Sequence, residues 1–257
     1  MTVWIVQGKG IIVIVEMPSY VITLEQNALI DLIVPCLESA VVPFPGDRRA
    51  KKQSENDSFE GYEVTGRLWG SRGTDVMGRT LFAIRRATLV KQTRSDSNSV
   101  ELNSASEDVK GLLFSTFWPD LQPLGSFHSH PYMNLTRAEV NRLGGHEPSG
   151  QDTQIFSSTK NDQIHLIVTL CRKQAGRGVM PGWVDKSRNN IDWSCIGFGL
   201  GDVFIWIRAC IWDLEEGEGP GGGLVPMERL MLYCTGVTGL LLPIGADAVP
   251  FRAFGAP

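Results

Sequence analysis

The stretch 124–131, Leu-Gly-Ser-Phe-His-Ser-His-Pro, constrains the fold more than any other part of the chain. His128 and His130 are two residues apart, so their side chains project from the same face of an extended strand. Pro131 cannot donate a backbone hydrogen bond, and we expect the strand to end there. The sequence therefore predicts two imidazoles side by side at a strand end, where they can bind a metal ion.

A third metal ligand is predicted from residues 148–152, Pro-Ser-Gly-Gln-Asp. Ser149 can cap the N-terminus of a helix, and Asp152 then lies in the first turn, on roughly the same face. Two imidazoles and one carboxylate are typical of a catalytic zinc site that keeps one position open for water. Of the other histidines, we assign His146 to a surface loop rather than to a fourth ligand position, and His165 to the core of an apolar strand.

Upstream, residues 63–70 read Glu-Val-Thr-Gly-Arg-Leu-Trp-Gly. The order Glu-x-x-Gly-x-Leu-x-Gly, His-Ser-His-Pro and Ser-x-x-Asp resembles the JAMM (MPN+) metalloprotease family, which includes deubiquitinating isopeptidases and bacterial relatives. Each motif alone is weak evidence, whereas the three in this order are a strong signal. The resemblance extends roughly from Thr23 to Trp212.

The resemblance implies a fold class and a role for each motif residue. The fold is an α/β domain in which helices flank a mixed β-sheet, the cytidine-deaminase-like arrangement of the JAMM/MPN core. One catalytic Zn²⁺ is assigned to His128, His130 and Asp152. Glu63 would act as general base toward water and then as general acid toward the leaving amine. Ser149 would donate a hydrogen bond to the developing oxyanion.

The resemblance also implies substrates and partners. Such family members are zinc isopeptidases or peptidases that hydrolyse the bond after the C-terminus of ubiquitin or a ubiquitin-like protein, in deconjugation or precursor processing. They hold the extended tail of the modifier as an added strand beside the site. Bacterial relatives accompany ubiquitin-like conjugation enzymes, including in antiviral defence. We therefore expect a bacterial, deubiquitinase-like hydrolase. The alternatives are a sulfur-carrier-protein processing peptidase and a non-catalytic MPN scaffold subunit of a larger complex.

The chain departs from the family pattern in the spacing of its last motif. Family members place Ser-x-x-Asp closer to the second histidine, whereas Asp152 follows His130 by 22 positions. Ala138 and Asn141 stand at the customary offset, and neither can replace a serine and an aspartate. Asn141 and Glu139 are kept as minor alternative ligands.

We interpret residues 132–147 as a lengthened loop that borders the site. A loop in this position can shape substrate access, because connecting segments beside a rigid scaffold commonly carry binding residues. Tyr132 and Met133 are therefore predicted to contact the substrate.

Composition excludes several classes of protein. A formal charge of −4 gives no support for a nucleic-acid-binding protein, which usually carries a basic excess. Five cysteines without a Cys-x-x-Cys pair indicate reduced thiols and exclude a cytidine-deaminase site. The chain shows no secretory leader, and its apolar runs at 196–212 and 230–244 are too short or too charged to span a membrane. We expect a cytoplasmic protein that binds neither nucleic acid nor membranes.

Apolar periodicity predicts an element order and a domain boundary. The predicted strands cover 3–6 and 11–15 as a hairpin, then Glu63 to about Trp69, 80–90, 124–130, 164–170 and 203–211. The predicted helices run from a Thr23/Gln26 capping box to about Ala40, kinked or ended near Val34 by Pro35, and from Asp108 to Trp118 with Val109, Leu112, Leu113 and Phe117 inward. Residues 43–60 and 92–106 are predicted loops.

The predicted metalloprotease domain covers residues 1–213. Residues 214–257 are predicted to form a Gly-rich linker and an apolar C-terminal extension. For this extension, docking back on the core and pairing with another chain both remain open.

Overall fold

The structure of the protein is a computed structural model. It describes residues 3–8, 11–41, 61–90, 92–96, 99–102, 104–158, 163–172, 181–187, 190–214, 216, 222–235 and 237. The predicted loop at 43–60 and the end of the extension, from residue 238, lie outside the described residues.

Four α-helices and fourteen β-strands are described. The helices are α1 (Gln26–Val41), α2 (Ser104–Phe117), α3 (Arg137–Leu143) and α4 (Gly150–Ser157). The strands are β1 (Val3–Gly8), β2 (Ile11–Glu16), β3 (Tyr20–Leu24), β4 (Thr65–Thr74), β5 (Thr80–Leu89), β6 (Gln92–Asp96), β7 (Ser99–Leu102), β8 (Gln122–Thr136), β9 (Gln163–Arg172), β10 (Gly182–Ser187), β11 (Asn190–Leu200), β12 (Val203–Asp213), β13 (Gly223–Leu224) and β14 (Leu230–Cys234). None of these helices combines the length and the hydropathy needed to cross a membrane.

One mixed sheet organises the domain. Its strand order is β10-β11-β12-β9-β8-β4-β5-β3-β14, with β13 beside β12. β8 and β9 are parallel, β3 is parallel to both of its neighbours, and the other pairs are antiparallel. The sheet is curled, and its two end strands lie close together. Trp183 on β10 donates a 2.8 Å hydrogen bond to the Leu232 carbonyl oxygen on β14, at the other end of the strand order. The predicted α/β class with a helix-flanked mixed sheet is confirmed.

Helix α1 covers one face of this sheet. Its fully buried side chains recur every four residues, at Ala28, Leu32 and Cys36, as an amphipathic helix requires. The predicted start is wrong, because Thr23 belongs to β3 and the helix begins at Gln26. The helix also continues through Pro35, since burial on both sides of the proline outweighs the one backbone hydrogen bond that it removes.

Strand β8 runs past Pro131, where the sequence predicts its end. Pairing with β4 stops at His128, so beyond this point β8 has β9 as its only neighbouring strand among the described residues. A proline is tolerated in such a position, because its missing N–H faces no partner strand. The strand therefore continues to Thr136.

Helix α2 confirms a predicted helix and corrects its orientation. Four residues with a predicted inward position are exposed: Val109, Leu112, Leu113 and Phe117. Phe114 is buried instead, and its ring stacks on Trp69 with 4.2 Å between centroids. Glu107 accepts hydrogen bonds of 2.7 and 2.8 Å from the Arg67 guanidinium. These two contacts with β4 determine which face of the helix turns inward.

Two predicted loops contain regular structure, and one open alternative is decided. The predicted loop at 92–106 contains the hairpin β6–β7 and the start of α2. The predicted loop at 132–147 contains the end of β8 and helix α3, which Thr136 and Glu139 begin as a capping box. Within the C-terminal extension, β14 joins the sheet edge beside β3, so residues 230–234 dock back on the core.

The glycines of the first motif are required by close packing around β4. A Cβ at Gly66 would lie 2.3 Å from the Phe127 ring and 2.3 Å from the Thr88 carbonyl oxygen. At Gly70, beside a β-bulge, a Cβ would lie 1.8 Å from the Ala83 carbonyl oxygen. The motif therefore holds β4 tightly between β5 and β8.

Substituting Gly66 with alanine should destabilise the protein. The added methyl group meets backbone on one side and a fully buried ring on the other, so we expect a loss of about 1–3 kcal/mol in the free energy of unfolding. Urea unfolding measures this loss. Gly73→Ala on the same strand is the control, because nothing lies within 4 Å of its Cβ position. Equal stability of the two variants would contradict the packing assigned to the motif.

Candidate metal centre

The two faces of β8 have different surroundings. Phe127 and Ser129 are fully buried, and a side-chain hydrogen bond joins Ser129 to Cys36 on α1. His128 and His130 alternate with them and project from the opposite face. One strand therefore contributes to the core with one set of residues and to a polar site with the other.

Three donor atoms meet on this second face. His128 Nε2 lies 3.0 Å from His130 Nε2 and 3.0 Å from Asp152 Oδ1, and His130 Nε2 lies 3.6 Å from Asp152 Oδ2. Ligand atoms around a tetrahedral ion with zinc-like bond lengths lie roughly 3.3 Å apart. The three residues therefore form a group that could hold a metal ion, as the spacing of the sequence motifs predicts.

A capping box at the start of α4 places Asp152. The Asp152 N–H donates to Ser149 Oγ at 3.1 Å, and the Ser149 N–H donates to Asp152 Oδ2 at 2.7 Å. Burial alone would raise the pKa of Asp152, but the hydrogen bond and charge of His128, together with the bonds from Ser149, hold it below its usual range. The carboxylate is therefore ionised and fixed in orientation, as a metal ligand must be.

The ring of His130 is oriented by a backbone carbonyl. His130 Nδ1 lies 3.4 Å from the Gly145 carbonyl oxygen, which also accepts a 3.2 Å hydrogen bond from Thr169 Oγ1. Since a carbonyl can only accept, this contact favours a proton on Nδ1 and leaves the Nε2 lone pair directed at the site. Burial, and then the neighbouring His128, lower the pKa of His130 to about 4, so the imidazole is neutral near pH 7.

Glu63 precedes the first residue of β4 by two positions. The next residue, Val64, is fixed to β8 by two hydrogen bonds with Ser129, each 2.9 Å long. Burial raises the pKa of Glu63, the charge of His128 lowers it, and the charge of Asp152 raises it again. The charges of two of the three candidate ligands thus affect the pKa of the Glu63 carboxyl. The strand predicted to include Glu63 begins only at Thr65.

Ser149 is exposed and acts as the N-cap of α4. Its oxygen accepts the hydrogen bond from the Asp152 N–H, and its side chain also hydrogen-bonds the Asp152 carboxylate. The cap predicted from the sequence is confirmed. The role of Ser149 toward an oxyanion stays a prediction.

Of the two predicted substrate contacts, one lies at the site and one does not. The Tyr132 ring meets the His130 ring edge-on, with 6.1 Å between centroids. Burial raises the pKa of Tyr132, and the charges of Glu63 and Asp152 raise it further. Met133 projects from the other face of β8 into the hydrophobic core, so its prediction as a substrate contact is wrong.

The minor alternative ligands are not part of the group. The Glu139 carboxylate accepts two hydrogen bonds of 2.7 Å from Thr136, one from its N–H and one from its hydroxyl group, at the start of α3. Asn141 is exposed on the same helix. The wide spacing between the second and third motifs is therefore filled by a helix and a turn, and Asp152 still reaches the histidines.

The remaining two histidines are both buried. His146 is 7% exposed and stacks on Trp206 at 5.5 Å, so its assignment to a surface loop is wrong. His165 is a core residue as predicted: its Nδ1 lies 2.9 Å from Ser126 Oγ, and its ring stacks on Phe156 at 4.0 Å. Phe156 lies four residues after Asp152 on α4 and anchors that helix to the sheet.

The sequence offered little indication of the residues that support the ligands. The Gly145 carbonyl oxygen contacts His130 and accepts a hydrogen bond from the Thr169 hydroxyl group. Neither residue belongs to a recognisable sequence motif. Phe156 was detectable, because residues four apart share a helix face and an apolar residue on the Asp152 face must pack on something.

Comparisons with known proteins do not identify a family. No family model and no curated protein matches the chain. Among solved structures, the chain is similar to protein DSY2949 from Desulfitobacterium hafniense, determined in solution, with 11% identity and a TM-score of 0.40 over 83% of this chain and 92% of that one. A similarity of this size establishes neither a common fold nor a function.

His165 should make stability depend on pH. Burial, and then the charges of His128 and Arg67, lower its pKa from 6.5 to about 3. Between these values the unfolded chain binds a proton that the folded protein does not, so stability falls as the pH falls. Relative to His165→Gln, the wild type should lose up to about 1.4 kcal/mol more per pH unit between pH 6 and pH 4 in urea unfolding. Identical slopes would show that the folded state protonates His165 readily.

Proposed function

We propose that the chain is a zinc-dependent peptidase of the JAMM type, and that its curled mixed sheet is the JAMM/MPN core. The observation that carries the proposal is the convergence of the three motifs. They are separated in sequence, yet His128, His130 and Asp152 form one group, and the pKa of Glu63 responds to the charges of His128 and Asp152. Motifs that matched the family pattern by chance would not be expected to place their residues close together in the fold.

The chemistry of the donors favours zinc over the commoner divalent ions. Two neutral imidazole nitrogens and one carboxylate oxygen form a mixed nitrogen and oxygen set, which suits zinc. Magnesium and calcium prefer shells of oxygen ligands. Buried cysteine thiolates, which would favour a structural site, are absent from the described group.

The residues around the group suit amide hydrolysis. When bound, zinc supplies a Lewis acid that lowers the pKa of water to near neutrality and polarises a carbonyl. Glu63 then accepts the proton of the attacking water as a C–O bond forms at the amide carbon. It returns this proton to the nitrogen as the C–N bond breaks. The raised pKa of Glu63 suits both steps, because a base with a pKa nearer neutrality also serves as an acid.

The substrate that we propose is the C-terminal tail of ubiquitin or of a ubiquitin-like protein, in a conjugate or a precursor. The support is the resemblance of the motifs, which in the family accompany this specificity. Tyr132, beside His130 and half-buried, is the residue that we expect to contact the tail near the scissile bond. A cytoplasmic location and an association with conjugation enzymes belong to the same proposal.

Cleavage of a fusion between a ubiquitin-like protein and a reporter tests the proposal. The wild type should release the reporter, stop in the presence of a zinc chelator and recover when zinc is restored. Glu63→Gln should lower kcat by a factor of about 10² to 10⁴ through loss of the proton acceptor, while zinc still binds. His130→Ala should lose both zinc and activity. Cleavage that continues unchanged in Glu63→Gln would refute the mechanism.

Ser149→Gly separates the two roles of the serine. Glycine at an N-cap weakens a helix by only a few tenths of a kcal/mol, and its N–H still donates to Asp152 Oδ2, so α4 and most of the zinc affinity should be preserved. Loss of an oxyanion donor should nevertheless lower kcat by a factor of about 10² to 10³. Steady-state kinetics beside a zinc titration checks both expectations. Unchanged kcat would show that Ser149 is a cap alone.

A further inference from the structure

A buried arginine lies on the same sheet face as the candidate metal ligands. Arg208 on β12 is paired with Ile167 on β9, which is paired in turn with His128 on β8. Neighbouring strands are about 4.8 Å apart, so Arg208 stands roughly 10 Å from His128 along this row. Only 1% of Arg208 is exposed. A charge in such a position requires partners, because burial of an isolated ion is strongly unfavourable.

The positive charge of the Arg208 guanidinium is balanced by Asp192 on β11. Arg208 Nη2 lies 2.9 Å from Asp192 Oδ2, and Nη1 donates to Ser194 Oγ at 3.2 Å. Ser194 Oγ donates in turn to Asp192 Oδ1 at 2.6 Å. These contacts hold the guanidinium plane in one orientation, because its donors form a rigid planar fork.

The Nε–H of the fork is directed at the turn between α3 and α4, while Nη1 also contacts Met227 Sδ at 2.9 Å. Arg208 Nε donates a 2.7 Å hydrogen bond to the carbonyl oxygen of His146. The ring of the same His146 stacks on Trp206, two residues before Arg208 on β12. The turn is thus held against the sheet at one residue by both its backbone and its side chain.

This turn supports two of the three candidate ligands. The Gly145 carbonyl, one residue before His146, accepts from Thr169 and lies 3.4 Å from His130 Nδ1. Shortly after His146 the chain enters the capping box that fixes Asp152. A displacement of the turn would therefore change the orientation of His130 and the starting point of α4 together.

We propose that the Arg208–Asp192 ion pair is a positioning device for the metal centre. It holds the Gly145–His146 turn in the position in which the Gly145 carbonyl contacts His130 and α4 places Asp152 beside the two histidines. Neither Arg208 nor Asp192 touches the ion. The inference rests on the proposed metal binding, and it predicts that the pair contributes to metal affinity beyond its contribution to core stability.

A double variant separates these two contributions. Replacing a whole buried ion pair by apolar residues of similar size is often neutral for stability, whereas removing one partner is not. Arg208→Met with Asp192→Leu should therefore fold, with a melting temperature within about 5 °C of the wild type. It has no donor for the His146 carbonyl. We expect its dissociation constant for zinc, measured by competition with a chromophoric chelator, to rise by a factor of about 10 to 100.

Two further measurements accompany the zinc titration. Nitrogen-15 NMR of the histidine side chains in the metal-free protein should show the Nδ1–H form of His130 in the wild type and a mixture of tautomers in the double variant. Tyr20→Phe is the matched control, because it removes a buried 2.9 Å hydrogen bond to Asp213 without touching the turn. It should lower the melting temperature and leave the zinc affinity unchanged.

The outcomes discriminate between the two proposals. If the wild type binds zinc and the double variant binds it equally well, the positioning role is refuted and the proposed function stands. If the wild type binds no zinc, the proposed function fails, and the His130 tautomer still decides whether the ion pair orients the ring. If the double variant does not fold, Arg208→Lys decides. One ammonium group cannot reach Asp192, Ser194 and His146 at once, so wild-type affinity in that variant would overturn the positioning role.

Discussion

The parallel pairing of β8 with β9 is the constraint on which the site depends. It aligns His128 with Ile167 and His130 with Thr169, so that the histidine face of β8 continues as a surface across β9 and β12. A slip by one residue would exchange the two faces of β8, which would turn both imidazoles toward the hydrophobic core and Phe127 away from it. The core packing against α1 therefore also determines the position of the ligands, and the site needs no separate scaffold.

The third candidate ligand, Asp152, belongs to a capping box, a motif that ordinarily only begins a helix. In the capping box of α4, the Asp152 carboxylate accepts from the Ser149 N–H through Oδ2 while Oδ1 lies beside His128. A carboxylate that satisfies a helix terminus loses rotational freedom, and the helix N-terminus stabilises its negative charge. Local helix energetics and ligand geometry therefore favour the same conformation, which explains how a helix of eight residues can hold a ligand in place.

The sequence predicted those parts of the site that depend on local geometry. The alternation of His128 and His130 and the cap at Ser149 require only neighbours in sequence, and both are as expected. The errors arise where partners distant in sequence decide. Pro131 is tolerated because β8 no longer pairs with β4 at that point. The orientation of α2 depends on its contacts with Trp69 and Arg67. Met133 is buried in the hydrophobic core on the other face of β8. The contact of Gly145 with His130 and that of Arg208 with His146 could not be predicted from the sequence, because each involves a backbone carbonyl that any residue type could provide.

The pairing of β14 with β3 has a consequence for biosynthesis. β14 (Leu230–Cys234) is synthesised long after β3 (Tyr20–Leu24), so a growing chain carries one edge of β3 as a row of unsatisfied amide and carbonyl groups until β14 emerges. Contacts between such distant segments form slowly, and an open edge invites pairing with other nascent chains. Loss of the C-terminal strand by premature termination or by proteolysis would reopen the same edge. β14 therefore protects the edge of a strand that lies far from it in the sequence.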